Sequence, residues 1–114
     1  LTFGHQKRDF IYVSDVVEAY LKVIKFSLEN SFRYRVFNVG NGKSIQVREM
    51  IEKIKILSNS DTILNFGTLP YRCDEIMNPV ADTVELENIG WKSEFTTDEG
   101  LSKIIKYYKS NNLK

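Results

Sequence analysis

Apolar residues recur every three or four positions in three stretches of the chain. Val16, Tyr20, Ile24 and Leu28 repeat every four residues, with Val17 and Leu21 beside them. This marks one apolar face of a helix, with Ser14 and Asp15 before it as good N-cap types. Val47, Met50, Ile51 and Ile54 predict a second amphipathic helix, with Ser44 as its cap. Leu101, Ile104, Ile105 and Tyr108 predict a third, capped by Thr97. A short helix fits residues 84–88, capped by Asp82 or Thr83, ended by Gly90, with Trp91 packing back.

The segments between these helices carry β-type composition. Asp9 to Val13 is aromatic and β-branched and predicts a short strand. Tyr34 to Val39 predicts a second strand, and Thr62 to Phe66 a weaker third. Alternation of strands and helices gives an α/β class with three main helices and short strands.

The 114 residues are enough for one domain with a modest core. The formal net charge of +1 gives no global case for nucleic acid or membrane binding. No apolar run approaches the roughly 20 residues of a membrane helix. One cysteine, Cys73, excludes an internal disulfide and fits a cytoplasmic setting. One histidine and one cysteine, far apart, offer neither a metal site nor a Cys–His pair. The opening LTFGHQKRDF begins with Leu1 and enters a patterned segment at once, which suggests a piece of a longer protein.

Phe37 to Val47 reads FNVGNGKSIQV and invites a phosphate-loop reading. A P-loop needs G-x-x-x-x-G-K-[ST], so that successive backbone N–H groups wrap the phosphates before the helix begins. Here the first glycine would fall at Phe37, and Gly40 stands only two residues before Gly42. A tight strand-to-helix turn is the better reading. Arg8 and Arg72 lie near carboxylates, Asp9 in one case and Asp74 and Glu75 in the other. By residue type alone they are surface ion pairs worth about 0–1 kcal/mol.

Three segments in order change that reading: QKRDFIYVSDVVEAYLKVI, then YRVFNVGNGKSIQVREMIEKI, then LPYRCDEIMNPVADTVELENIGWKSEFTTDEGL. Together they resemble the C-terminal part of the NAD-dependent sugar epimerase/dehydratase family, extended short-chain dehydrogenases acting on nucleotide-activated sugars. The resemblance covers nearly the whole chain. It implies the C-terminal substrate-binding portion of an extended Rossmann-type enzyme, spanning 1–114. The strand near 34–39 is then expected to complete the sheet of a missing N-terminal Rossmann domain. It also implies that NAD(P) belongs to the full-length parent, with none bound by this part alone.

The family's catalytic Tyr-x-x-x-Lys pair is expected in that N-terminal part, and no tyrosine here has a lysine four positions on. No catalytic, cofactor-binding or metal residue is therefore assigned. By resemblance, Arg8 and Arg72 are ligands of the sugar-nucleotide diphosphate, Glu75 accepts from a ribose hydroxyl, and Gln6 lies close to the substrate. Arginine forks suit diphosphate oxygens and a carboxylate suits a hydroxyl. Cys73 and Asp74 replace the proline and glycine common in that loop. The expected function is nucleotide-sugar binding for an isomerase or lyase of carbohydrate biosynthesis, inactive alone. The alternative is a stand-alone, non-catalytic binding or interaction module. Without its Rossmann domain, the chain is expected to expose apolar surface, to rearrange, or to pair with another copy of itself.

Overall fold

The computed structural model describes residues 1–111. The elements in chain order are β1 (Lys7–Arg8), α1 (Val13–Glu29), β2 (Ile45–Gln46), α2 (Val47–Ser58), α3 (Val84–Asn88) and α4 (Thr97–Ser110). The two strands pair antiparallel, Lys7 opposite Gln46 and Arg8 opposite Ile45. No helix among the described residues is long and apolar enough to cross a membrane.

The four helices fall where periodicity places them, but their caps differ. Tyr12, not Ser14 or Asp15, is the N-cap of α1, and no side chain caps it. Asp15 lies inside the first turn, where its carboxylate faces a distant segment. Gln46 precedes α2, and Ser44 donates to Asn78 Oδ1 at 2.8 Å instead of capping. Thr96, one residue before the expected Thr97, caps α4 in a capping box. Its hydroxyl accepts from Glu99 N while the Glu99 carboxylate accepts from Thr96 N. The short α3 runs Val84–Asn88 as expected. Gly90 follows at φ 82° and Trp91 N returns to Leu86 O at 3.0 Å.

The strand expectations need correction. Residues 9–12 and 34–39 form no ladder, and neither do Thr62–Phe66. Apolar and β-branched composition makes a segment fit for a strand, but a ladder needs a neighbour to hydrogen-bond. Pairing falls instead on two-residue strands at 7–8 and 45–46, fixed by contacts on either side.

The core is small. Ala19, Leu86 and Trp91 form its centre, with Ile11, Val23, Phe37, Val39 and Ile89 packed around them. Met50 of α2 and Leu101 of α4 are buried where those helices meet. Lys53 of α2 donates to Asp98 Oδ1 of α4 at 2.6 Å. That bond holds the Lys53 ammonium above its ordinary value of 10.5.

The apolar face of α1 read from the sequence is largely not core. Tyr20, Ile24 and Leu28 are 65%, 53% and 82% exposed. The helix buries Asp15 and Ala19 on its other side. The shape agrees: the chain is a slab of 53 × 40 × 19 Å with a radius of gyration of 17.3 Å. A compact chain of this length would have about 13 Å.

Candidate functional site

Two carboxylates in RDFIYVSD hold the scaffold. Asp9 accepts from three backbone N–H groups: Asn41 at 2.7 Å, Gly42 at 3.0 Å and Ala81 at 3.1 Å. Gly40 permits that approach. A Cβ there would stand 2.4 Å from Ala81 Cβ and 2.7 Å from Asp9 Oδ2. The glycine turn therefore does bind an anion through successive amides, but the anion is the protein's own.

Asp15, 2% exposed, accepts from Glu94 N at 3.1 Å and Phe95 N at 3.2 Å. Its carbonyl oxygen accepts from Trp91 Nε1 at 3.0 Å. The sequence reading missed both clamps. The signal available was an acidic residue on each side of an apolar run that must be packed between loops.

Asp9 is thus engaged elsewhere, and the partner of Arg8 is Glu75. The Arg8 Nη2 donates to Glu75 Oε1, while Nη1 donates to Lys7 O at 2.6 Å and to Ile76 O at 2.8 Å. Lys7 N donates to Met77 O at 2.7 Å. At the other end of this loop, His5 N donates to the Tyr71 hydroxyl at 2.9 Å. Phe3 stacks on His5 with centroids 6.0 Å apart. Residues 71–77 are therefore clasped at both ends by residues 5–8. Within the loop, Glu75 N closes a turn onto Arg72 O at 3.2 Å.

Arg8, Arg72, Asp74, Glu75, Ile76 and Pro79 line a surface hollow of about 240 Å³. Three of the four residues singled out from the sequence meet there, although Arg8 and Arg72 are far apart along the chain. Arg72 is exposed and forms no ion pair among the described residues. Gln6 stands apart from the lining. It is buried, its Nε2 donates to Thr2 Oγ1 at 3.2 Å, and its Oε1 has no partner among the described residues. Its backbone oxygen accepts from Val47 N at 2.9 Å, which starts α2 beside β1.

Two guanidinium groups lining a small open hollow can hold phosphate oxygens, and a neighbouring carboxylate can accept from a hydroxyl. Nothing in the lining offers a nucleophile with an adjacent base.

The profile described as "NAD dependent epimerase/dehydratase family" matches residues 1–40. CDP-abequose synthase of Salmonella muenchen is 44% identical over 104 residues, covering 91% of this chain and 35% of that protein. Among solved structures, a UDP-N-acetylglucosamine 4-epimerase from Methanobrevibacter ruminantium, in complex with UDP-N-acetylmuramic acid, has a TM-score of 0.75. It is 30% identical, covering 95% of this chain and 33% of that one. A UDP-glucose 4-epimerase from Thermotoga maritima with UDP-glucose superposes with a TM-score of 0.80 at 24% identity, covering 96% and 33%; this is a likeness of fold. The chain spans about a third of the length of the curated relatives it matches.

Proposed function

We propose that this chain, a member of the NAD-dependent epimerase/dehydratase family, is the nucleotide-sugar-binding C-terminal portion of such an enzyme. The hollow between Arg8 and Arg72 takes the diphosphate, and Glu75 accepts from a ribose hydroxyl. One observation carries this reading: two arginines from distant segments converge on one open hollow with a carboxylate beside them. Relatives whose names or structures involve CDP-, dTDP- and UDP-linked sugars support the ligand class.

NAD(P) is assigned to a Rossmann-type part outside these residues. Among the described residues, two pairs of successive amides cradle an anion and neither is free for its pyrophosphate: Asn41 and Gly42 are taken by Asp9, and Glu94 and Phe95 by Asp15. Hydride transfer is not assigned to any residue here. The role left to this chain is to bind and orient the substrate, so it turns over no nucleotide sugar alone.

The exposed apolar face of α1, with Val17, Tyr20, Leu21, Ile24 and Leu28, suits contact with that Rossmann-type part. It also favours a second reading, an interaction module that works through protein contacts.

Titration of the chain with CDP, UDP, dTDP and GDP tests the site. Saturable binding to at least one, lost in Arg72→Ala, is expected. Absence of binding to all four, or unchanged binding in Arg72→Ala, overturns the assignment.

A further inference from the structure

The two arginines of the hollow are not equivalent. A guanidinium has five N–H donors. Both donors on Nη1 of Arg8 are taken, by Lys7 O and Ile76 O, and one on Nη2 goes to Glu75. The end-on fork, which needs one donor from each terminal nitrogen, has lost its Nη1 half. Two donors remain, Nε–H and one on Nη2. The Glu75 side chain is 16% exposed, so its charge is mostly withdrawn from water and compensated by Arg8. Arg72, by contrast, is exposed and has no ion-pair partner among the described residues.

We infer that the Arg8–Glu75 pair is a latch that positions the 72–77 loop, and that Arg72 is the principal anion-binding residue. Arg8 bridges three acceptors on two segments: its own strand through Lys7 O, and the loop through Ile76 O and Glu75. Beside it, Lys7 N donates to Met77 O. Between the latch and Tyr71, the turn bond from Glu75 N to Arg72 O is the single one that holds the loop backbone among the described residues. Breaking the latch frees the residues that present Arg72. Ordering them must then occur on binding, which weakens affinity. Beyond any direct contact of their own with the ligand, Arg8 and Glu75 thus act through Arg72. This inference rests on the reading of the hollow as a diphosphate site.

Charge alone makes the opposite prediction for Glu75. Removing a carboxylate beside a diphosphate reduces repulsion and tightens binding. Inorganic pyrophosphate is the probe that separates the two, because it has no ribose for Glu75 to contact. Glu75→Gln, Arg8→Met, Arg8→Lys and Arg72→Met are compared by hydrogen exchange of the 72–77 amides and by pyrophosphate titration.

The latch predicts about tenfold faster exchange over 72–77 in Glu75→Gln and Arg8→Met. Arg8→Lys recovers part of the protection, and Arg72→Met leaves exchange as in the parent. Glu75→Gln binds pyrophosphate more weakly, although the hollow has become more positive. Unchanged exchange in Glu75→Gln and Arg8→Met, or tighter pyrophosphate binding in Glu75→Gln, overturns the latch. If the parent chain does not bind pyrophosphate, the diphosphate reading fails, and the exchange measurement still decides whether the latch exists. Exchange protection around Trp91 serves as the control for an intact fold.

Discussion

The carboxylate of Asp9 faces the backbone amide of Gly42 at 3.0 Å, across 33 residues of chain. With the amides of Asn41 and Ala81 it completes an anion-binding turn whose anion is internal. The resemblance of FNVGNGKS to a phosphate loop therefore has a physical basis. The spacing suits one carboxylate, not a polyphosphate.

Asp9→Asn should lower unfolding free energy by about 2 kcal/mol, the scale of hydrogen bonds to a charged acceptor. One oxygen becomes an NH₂ facing amide donors. Urea unfolding measures this, and a change within error would mean the clamp contributes nothing. Lys43 is exposed, so Lys43→Ala should leave stability and nucleotide binding unchanged. Loss of nucleotide binding in that variant would restore the phosphate-loop reading.

Leu86→Ala should cost about 2–5 kcal/mol, because a fully buried side chain leaves a cavity in a small core. Trp91→Phe removes the indole donor to Asp15 O and should cost about 1 kcal/mol from that bond. Thermal melts order the two variants, and a milder effect for Leu86→Ala would contradict the core described above.

The capping box makes stability depend on pH. The Thr96 hydroxyl, and then the Thr96 backbone N–H, hold the Glu99 carboxyl below its ordinary value of 4.5. A depressed folded-state value stabilises the fold above the unfolded value, and that contribution is lost as pH falls through the folded one. The acid side of the stability profile should be shallower in Glu99→Gln than in the parent. Denaturation at neutral pH and below 4.5 tests this, and parallel profiles would remove the box from the account. Thr96→Ala should cost about 1 kcal/mol at neutral pH.

Cys73 is exposed beside Arg72 and is the sole cysteine. Its reaction with a thiol reagent should slow when a nucleoside diphosphate occupies the hollow, and the slowing should vanish in Arg72→Ala. Equal rates with and without saturating nucleotide would place the ligand elsewhere.

The face of α1 that carries Leu21 and Ile24, 54% and 53% exposed, should drive self-association of the isolated chain. Ile24→Lys should shift the chain toward monomer in light scattering without lowering its melting temperature. A loss of stability would show that the face is buried within the chain after all.

The sequence by itself determined the helices. Their hydrogen bonds join residues four apart, so periodicity and local stop signals such as Gly90 are enough to place them. It also marked Arg8, Arg72 and Glu75, through ordered segments that resemble a known family. Which face of α1 packs was not legible there. The strongest apolar stripe, Val16–Tyr20–Ile24–Leu28, is mainly exposed, while the buried positions include a small residue and a carboxylate, Ala19 and Asp15.

Only the tertiary structure decided the partners of the charges and the strands. Asp9 turned from its neighbour Arg8 to loop amides, and Arg8 turned to Glu75, 67 residues away. Asp15 left the helix cap for amides near residue 95. A buried or half-buried carboxylate takes whichever donors the fold brings within reach, and adjacency in sequence says little about that reach. The same holds for Tyr34–Val39, whose composition suits a strand but whose ladder requires a neighbour that no described residue supplies.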